Sequence, residues 1–423
     1  MADPDPADQQ SLPTDALRTI REIGRADLVV GIPSLNNETT IRRVVTAAEV
    51  GLRKLFPDLR AVICVSDGGS ADATREEALA AGVGDRAEAY LVPPASPVPT
   101  KVVFRYEGLP GKGSALHAVF EAARMLEARA CAVMDADLRS VTPYWLDRLL
   151  TPVVHHGYEF ITPMYVRHRH DGTITNSVAY PLTASLYGVR IRQPIGGEFA
   201  MTGELASHFA DADVWATDVA RFGIDLWMTT TGLVEGRRMA QSILGAKLHD
   251  PKDPALSLAP MFEQVVGTCF SLAERYADRW REVEGIVTPP TFGFPADVAA
   301  EPVRVSLPLL REHFAAGRAL WQEEWGEILS PEHLDPAAAG ELDAGAWVGV
   351  LHDYLAAWAA GRDRGRLIGS LIPLYFARTA VFVERTLDVT GAVVDAEIEA
   401  VVDAALARKP ALLARWPAPA GAH

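Results

Sequence analysis

From Ala26 onward, short apolar runs alternate with longer amphipathic stretches. ADLVVGIPSLN is followed by a helical pattern near Thr40 to Leu55, then LRAVICVSDGGS, then another helical pattern from Ala71. Runs of this length bounded by Gly, Pro, Asn and Asp, each leading into a 3.6-residue period, predict βαβ units and a parallel sheet. Two further runs are VVFRYEG, before a helix from Gly113 to Leu126, and ACAVMDADL, from Ala130 to Leu138. Each ends in polar or glycine-rich residues, and ligands of open α/β sheets bind beyond such strand ends. Between Trp145 and His249 come the strand-like EFITPMYVRH, the pair Gly196-Gly197 and a helix-like stretch near Trp215 to Met228, read as the second half of the same domain. Beyond Gly285 the chain is rich in Ala, Leu, Trp and Arg, and Ala344 to Ala360 and Leu371 to Leu387 suit helices. The expected organisation is a disordered or loosely packed segment over 1–25, an α/β domain over 26–284 and a helical extension over 285–423.

A chain of 423 residues accommodates two to three domains, and 49% hydrophobic with 22% charged residues excludes wholesale disorder. The formal charge of −15 argues against nonspecific binding to nucleic acid or to an anionic membrane. MADPDPADQQSLPTD has neither a basic region nor an apolar stretch, so it does not read as a signal peptide, and a cytoplasmic location is expected. The uncharged apolar stretch Leu367 to Ala377 stops at Arg378, short of the roughly 18 residues that span a bilayer, so no transmembrane helix is expected. Cys64, Cys131 and Cys269 lie far apart without a CxxC pair and read as buried thiols. Trp321, Trp325, Trp347 and Trp358 are expected to pack the helical core.

The candidate chemistry starts at Asp135-Ala136-Asp137, where an apolar strand ends. In an extended chain, carboxylates at i and i+2 point to one face. Two acids there are costly unless a cation joins them, and Mg²⁺ takes one or two carboxylates plus substrate oxygens, so a divalent ion carrying a diphosphate fits. Asp67-Gly68-Gly69-Ser70 closes another strand, with glycines that let a ligand approach and a carboxylate that can accept from a base or ribose. Pro110-Gly111-Lys112-Gly113 opens a helix, placing a lysine beside backbone N–H groups that favour anions. Its spacing is that of neither a Walker loop nor a dinucleotide fingerprint.

In order and spacing, GIPSLNNETTI (31–41), VSDGGSADAT (65–74), PGKGSAL (110–116) and MDADL (134–138) resemble the nucleotide-sugar half of a GT-A glycosyltransferase. PIGGEFAMTGEL (194–205) narrows the resemblance to the retaining family that contains glucosyl-3-phosphoglycerate, mannosyl-3-phosphoglycerate and glucosylglycerate synthases, and it covers roughly residues 27 to 280. The fold class implied is α/β: a Rossmann-like GT-A domain with a mostly parallel sheet, followed by the helical C-terminal region. The resemblance implies a donor site of Pro33, Leu35, Asn37, Asp67, Lys112, Asp135 and Ala136. Asn37 stands where the family has glutamate. It implies a metal site for Mg²⁺ or Mn²⁺ at Asp137 and at His249 of GAKLHDPKDP, and catalytic roles for Lys112 and for Asp225 of GIDLW.

The acceptor segment departs from the phosphoglycerate-using relatives. Where they carry an arginine before a V-T pair, this chain reads Gly172-Thr173-Ile174-Thr175, and Asp250-Pro251-Lys252-Asp253 replaces a basic stretch after the metal histidine. A guanidinium fork suits a phosphate dianion, whereas a hydroxyl offers one neutral bond. The sequence therefore points to D-glycerate as acceptor, held by Thr175, Gly196 and Gly197 with Arg167 or Arg169 pairing its carboxylate, and with glucosylglycerate, a compatible solute (osmolyte), as product. The alternative acceptor is 3-phosphoglycerate, and an alternative of another class is a noncatalytic nucleotide-sugar-binding protein. UDP-glucose or GDP-glucose is the expected donor, and relatives with a helical extension lead to the expectation of a homodimer.

Overall fold

The computed structural model describes residues 11–82, 92–93, 96–248, 259–294 and 300–417. The apolar runs become strands β1 (Leu28–Ser34), β2 (Ala61–Asp67), β3 (Thr100–Arg105), β4 (Ala130–Val133), β5 (Phe160–Val166), β6 (Phe199–Thr202), β7 (Met239–Ala246) and β8 (Thr291–Phe292). Among the described residues they form one sheet in the order β3-β2-β1-β4-β6-β5-β7-β8. β6 runs antiparallel to β4 and β5, and every other pairing is parallel. β1, β2 and β4 are apolar on both faces because helices cover both, and this is why they read as continuous rather than alternating runs.

The helices Ile41–Leu55, Thr74–Ala80, Lys112–Met125 and Tyr144–His156 return the chain between strands. Gly31 of β1 is the contact point for the third of these: a Cβ there would lie 2.3 Å from Val119 Cγ1, so the helix that opens on Lys112 approaches the sheet this closely only over glycine.

The sheet belongs to a compact unit of residues 11–166, 196–250 and 289–300, within the described limits, and a second unit takes 167–195, 251–288 and 301–417. This differs from the single break expected at 284/285: residues 167–195 and 251–288 group with the C-terminal helices. The second unit holds the π-helical turn Thr175–Ala179 and the helices Tyr180–Tyr187, Ala259–Arg275, Ala277–Trp280, Leu307–Ile328, Pro331–Ala339, Ala344–Ala359, Arg364–Thr386 and Gly391–Arg415. Trp325, Trp347 and Trp358 are buried there and Trp321 is half-buried under Arg366. Trp325 Nε1 donates to Ser370 O (2.9 Å) and Trp347 Nε1 to Ser177 O (2.7 Å).

Arg364–Thr386 is long and apolar enough by composition to cross a bilayer, but 78% of its apolar window is buried inside the protein, where Tyr354 and Ser370 hydroxyls meet at 2.8 Å. It is a core helix. All three cysteines are buried free thiols, as expected, and burial pushes those of Cys64 and Cys269 up to about 12.

Residues 11–25 correct the expectation of loose packing over 1–25, of which the rest lies outside the described residues. Thr14–Ile23 is a helix that buries Ala16 and Ile20, Leu12 just before it is buried too, and Glu121 Oε2 accepts from Ser11 Oγ (2.6 Å), Ser11 N (3.1 Å) and Leu12 N (3.2 Å).

Candidate active site

The end of β4 and the start of the helix Lys112–Met125 bring opposite charges together inside the first unit. Asp135 divides its carboxylate between two lysines, with Oδ1 2.8 Å from Lys112 Nζ and Oδ2 2.8 Å from Lys247 Nζ. Lys112 Nζ also lies 3.0 Å from both oxygens of Asp225. Lys247, just past β7, donates to Gly196 O (2.9 Å) and to Glu198 Oε1 and Oε2 (3.0 and 2.9 Å), and Tyr165 O–H donates to Glu198 Oε2. The result is a line of alternating charge: Glu198, Lys247, Asp135, Lys112, Asp225.

Burial opposes every one of these charges, and the neighbours decide which persist. Burial works against the charge on Lys112, but Asp135 and Asp225 outweigh it and hold its pKa above the usual lysine range. Burial would raise Asp135, but Lys112 and Lys247 together hold it well below the usual carboxylate range. Burial raises Asp225 against the opposing pull of Lys112, with Asp135 adding, and Glu198 is pushed up to about 7 by burial, with Lys247 opposing and Asp135 adding. Gly197 closes the site: at φ +96° its Cβ would lie 2.2 Å from Asp135 Oδ2 and 2.7 Å from Lys247 Nζ.

The donor-side residues gather at the ends of β1 and β2, where Pro33 pairs in register with Ser66 and Ser34 with Asp67. Asp67 is fully buried. Its Oδ2 accepts from Gly69 N and Ser70 N (both 2.9 Å), and its Oδ1 accepts from Ser70 Oγ and Ser34 Oγ. It therefore shapes the loop rather than offering an open carboxylate to a base, contrary to the reading from sequence. Asn37 Oδ1 accepts from Leu35 N (2.9 Å), and Leu35 is left 57% exposed, with its Cδ1 over Gly68.

Ala136 is buried and its carbonyl accepts from Thr40 Oγ1 (2.8 Å), which fixes the Asp135–Asp137 turn to the segment after β1. Asp137 is half-buried and takes part in no ion pair among the described residues. His249 lies outside the described residues, as do Asp250, Pro251, Lys252 and Asp253. Among the described residues no three His, Cys, Asp or Glu side chains converge as a metal cage. Asp135 is committed to its lysines, whereas Asp137, with no ion pair among the described residues, offers the hard oxygens that suit Mg²⁺ or Mn²⁺.

Of the acceptor residues, Gly196 and Gly197 lie in the first unit and Arg167 and Thr175 in the second. Around Gly172 (φ +71°), the Cβ position is 3.7 Å from Thr175 Oγ1 and 3.8 Å from Arg167 Nη1, and Arg167 pairs with Asp171 at 3.4 Å. Thr175 opens the π-helical turn, a feature common at functional sites.

Lys247, Glu198 and Tyr165 were not singled out from sequence. Lys247 stands two residues before His249, and Glu198 lies within PIGGEF, so both fall inside motifs already recognised.

A Glycosyl transferase family 2 model matches residues 29–198. Glucosyl-3-phosphoglycerate synthase of Mycolicibacterium smegmatis is 30% identical over 260 residues, covering 59% of this chain and 78% of the relative. The synthase of the same name from Mycolicibacterium paratuberculosis is 28% identical over 263 residues, covering 59% and 72%. Among solved structures, glucosyl-3-phosphoglycerate synthase from Mycobacterium tuberculosis with Mn²⁺, UDP and glucosyl-3-phosphoglycerate is 23% identical and covers 60% of this chain and 83% of that one, with a TM-score of 0.43, a likeness too loose to carry residue roles. The protein is thus a glycosyltransferase with a GT-A domain. The chain belongs to the glucosyl-3-phosphoglycerate synthase family.

Proposed function

We propose that the chain transfers glucose from a nucleoside diphosphate glucose, UDP-glucose or GDP-glucose, to the 2-hydroxyl of 3-phosphoglycerate. The observation that carries the transfer is Lys112, held protonated by Asp135 and Asp225 beside the Asp135–Asp137 turn. As the anomeric C–O bond breaks, negative charge grows on the leaving diphosphate, and a fixed ammonium in a water-poor site offsets it without reorganising. When bound, a divalent cation would share that charge, with Asp137 as its ligand here and His249 as the second. Asp225 acts by holding Lys112, and Asp67 and Asn37 act by shaping the loops on which Pro33 and Leu35 sit.

The acceptor preference is the reverse of the sequence expectation. Both curated relatives carry the name of a synthase of the phosphorylated product, which favours 3-phosphoglycerate over D-glycerate. The GTIT segment keeps the cation expected of it, since Arg167 Nη1 lies 3.8 Å from the Cβ position of Gly172. D-glycerate remains the second reading because Asp171 already engages that guanidinium.

Turnover of both donors against both acceptors, with Mg²⁺ or Mn²⁺ and then with chelator, tests the proposal. The expected result is the highest kcat/KM on 3-phosphoglycerate and loss of turnover with chelator or in Asp137→Ala. A tenfold or greater preference for D-glycerate would move the assignment to the second reading.

A further inference from the structure

Lys247 carries more of the site than any motif assigns to it. Its side chain is 5% exposed, and an ammonium has three N–H donors. Here they meet three separate groups: Asp135, the Gly196 carbonyl and Glu198. A lysine so saturated has no donor left for a substrate. Buried ion networks of this kind are poor stabilisers, because desolvation consumes most of the attraction, so what this one provides is defined geometry.

The geometry concerned is that of Lys112. Asp135 has two oxygens and gives one to each lysine, so the position of the carboxylate that holds Lys112 is set from its other side by Lys247, which is set in turn by Glu198. The same ammonium ties the Gly196–Gly197 turn beside Asp135 through the Gly196 carbonyl.

We propose that Lys247 is a positioning residue for sugar transfer, acting through Asp135 on Lys112 and itself anchored by Glu198. Without it, Asp135 keeps a single counter-ion, the glycine turn loses its tether, and Lys112 is no longer fixed where the diphosphate departs. The inference rests on the glycosyl transfer proposed above.

A double-mutant cycle between Lys247→Met and Lys112→Met tests it, read on kcat and on the dissociation constant of UDP. Lys247→Met is expected to lower kcat by about tenfold or more and to weaken UDP binding, and Lys247→Arg to recover most of both. The double variant should be no worse than Lys112→Met by more than about twofold, because residues acting in one line do not add. Losses that multiply, or a folded Lys247→Met with wild-type constants, would overturn the proposal. If Lys247→Met does not fold, the isosteric Glu198→Gln takes its place in the same cycle with the same two outcomes. An active wild type with multiplying losses rejects the positioning role alone. A wild type with no turnover on any donor and acceptor rejects the transferase reading, and the cycle is then decided on UDP binding.

Discussion

At the residue scale, the site is defined by what cannot be changed next to Asp135. Gly197 adopts φ +96° and its missing Cβ leaves room for Asp135 Oδ2 and Lys247 Nζ. Gly197→Ala should therefore cost activity by about tenfold or more while lowering stability by only about 1–3 kcal/mol, the range for a strained non-glycine backbone. Steady-state kinetics beside denaturant titration would show it, and wild-type kcat in the variant would mean the turn relaxes freely. Glu198 gives a second expectation. Its pKa rises from the ordinary 4.5 to about 7, chiefly through burial, so the folded state favours the protonated acid. Such a group contributes stability fully below the unfolded value and loses it as pH rises through about 7. Unfolding free energy measured from pH 4.5 to 8 should fall across this window, and Glu198→Gln should remove that part of the slope. An unchanged slope in the variant would assign it to other groups. Asp67 shows what a strand-end motif leaves hidden: a carboxylate closing a strand looks available, but two N–H groups and the Ser70 hydroxyl of its own loop, with the Ser34 hydroxyl of β1, all donate to it.

At the scale of elements, the parallel strands and their return helices were legible, because β1, β2 and β4 are short apolar runs that give way to polar residues at Ser34, Asp67 and Asp135. β6 was harder: PIGGEFAMTGEL reads as a glycine motif, and the four-residue strand Phe199–Thr202 inside it pairs antiparallel, a choice made by tertiary contacts. The regrouping of 167–195 and 251–288 with the C-terminal helices is likewise a matter of long-range packing that no local period encodes. The helix Thr14–Ile23 was hidden by its neighbourhood. The buried Leu12 just before it and its buried Ala16 and Ile20 recur every four residues, a helical stripe, but the preceding acid- and proline-rich composition masks it. Glu121 holds this segment through three donors, so Glu121→Ala should release it at a cost of about 1–3 kcal/mol, the price of leaving those donors unpaired. Amide exchange over residues 12–23 should rise while UDP affinity stays unchanged, and unchanged protection there would mean that apolar packing alone holds the helix.

At the scale of the whole molecule, the donor proposed for a chain of formal charge −15 is itself an anion. The charged line does not reverse this, since its two lysines face three carboxylates. Long-range repulsion and short-range attraction differ in how salt reaches them. The Debye length shrinks from about 30 Å at 0.01 M to about 8 Å at 0.15 M, which removes the distant field, while buried groups such as Lys112 are screened far less. Raising salt across that range at fixed Mg²⁺ should therefore lower the donor KM, by about twofold to threefold, with little change in kcat. The same titration on Lys112→Met should keep the salt trend and lose kcat, because the distant field and the local ammonium act on different steps. A donor KM that rises with salt in the wild type would show that the field at the site mouth attracts anions over long distances. Attraction would then come from surface cations rather than from a bound metal and the one lysine fixed by Asp135 and Asp225.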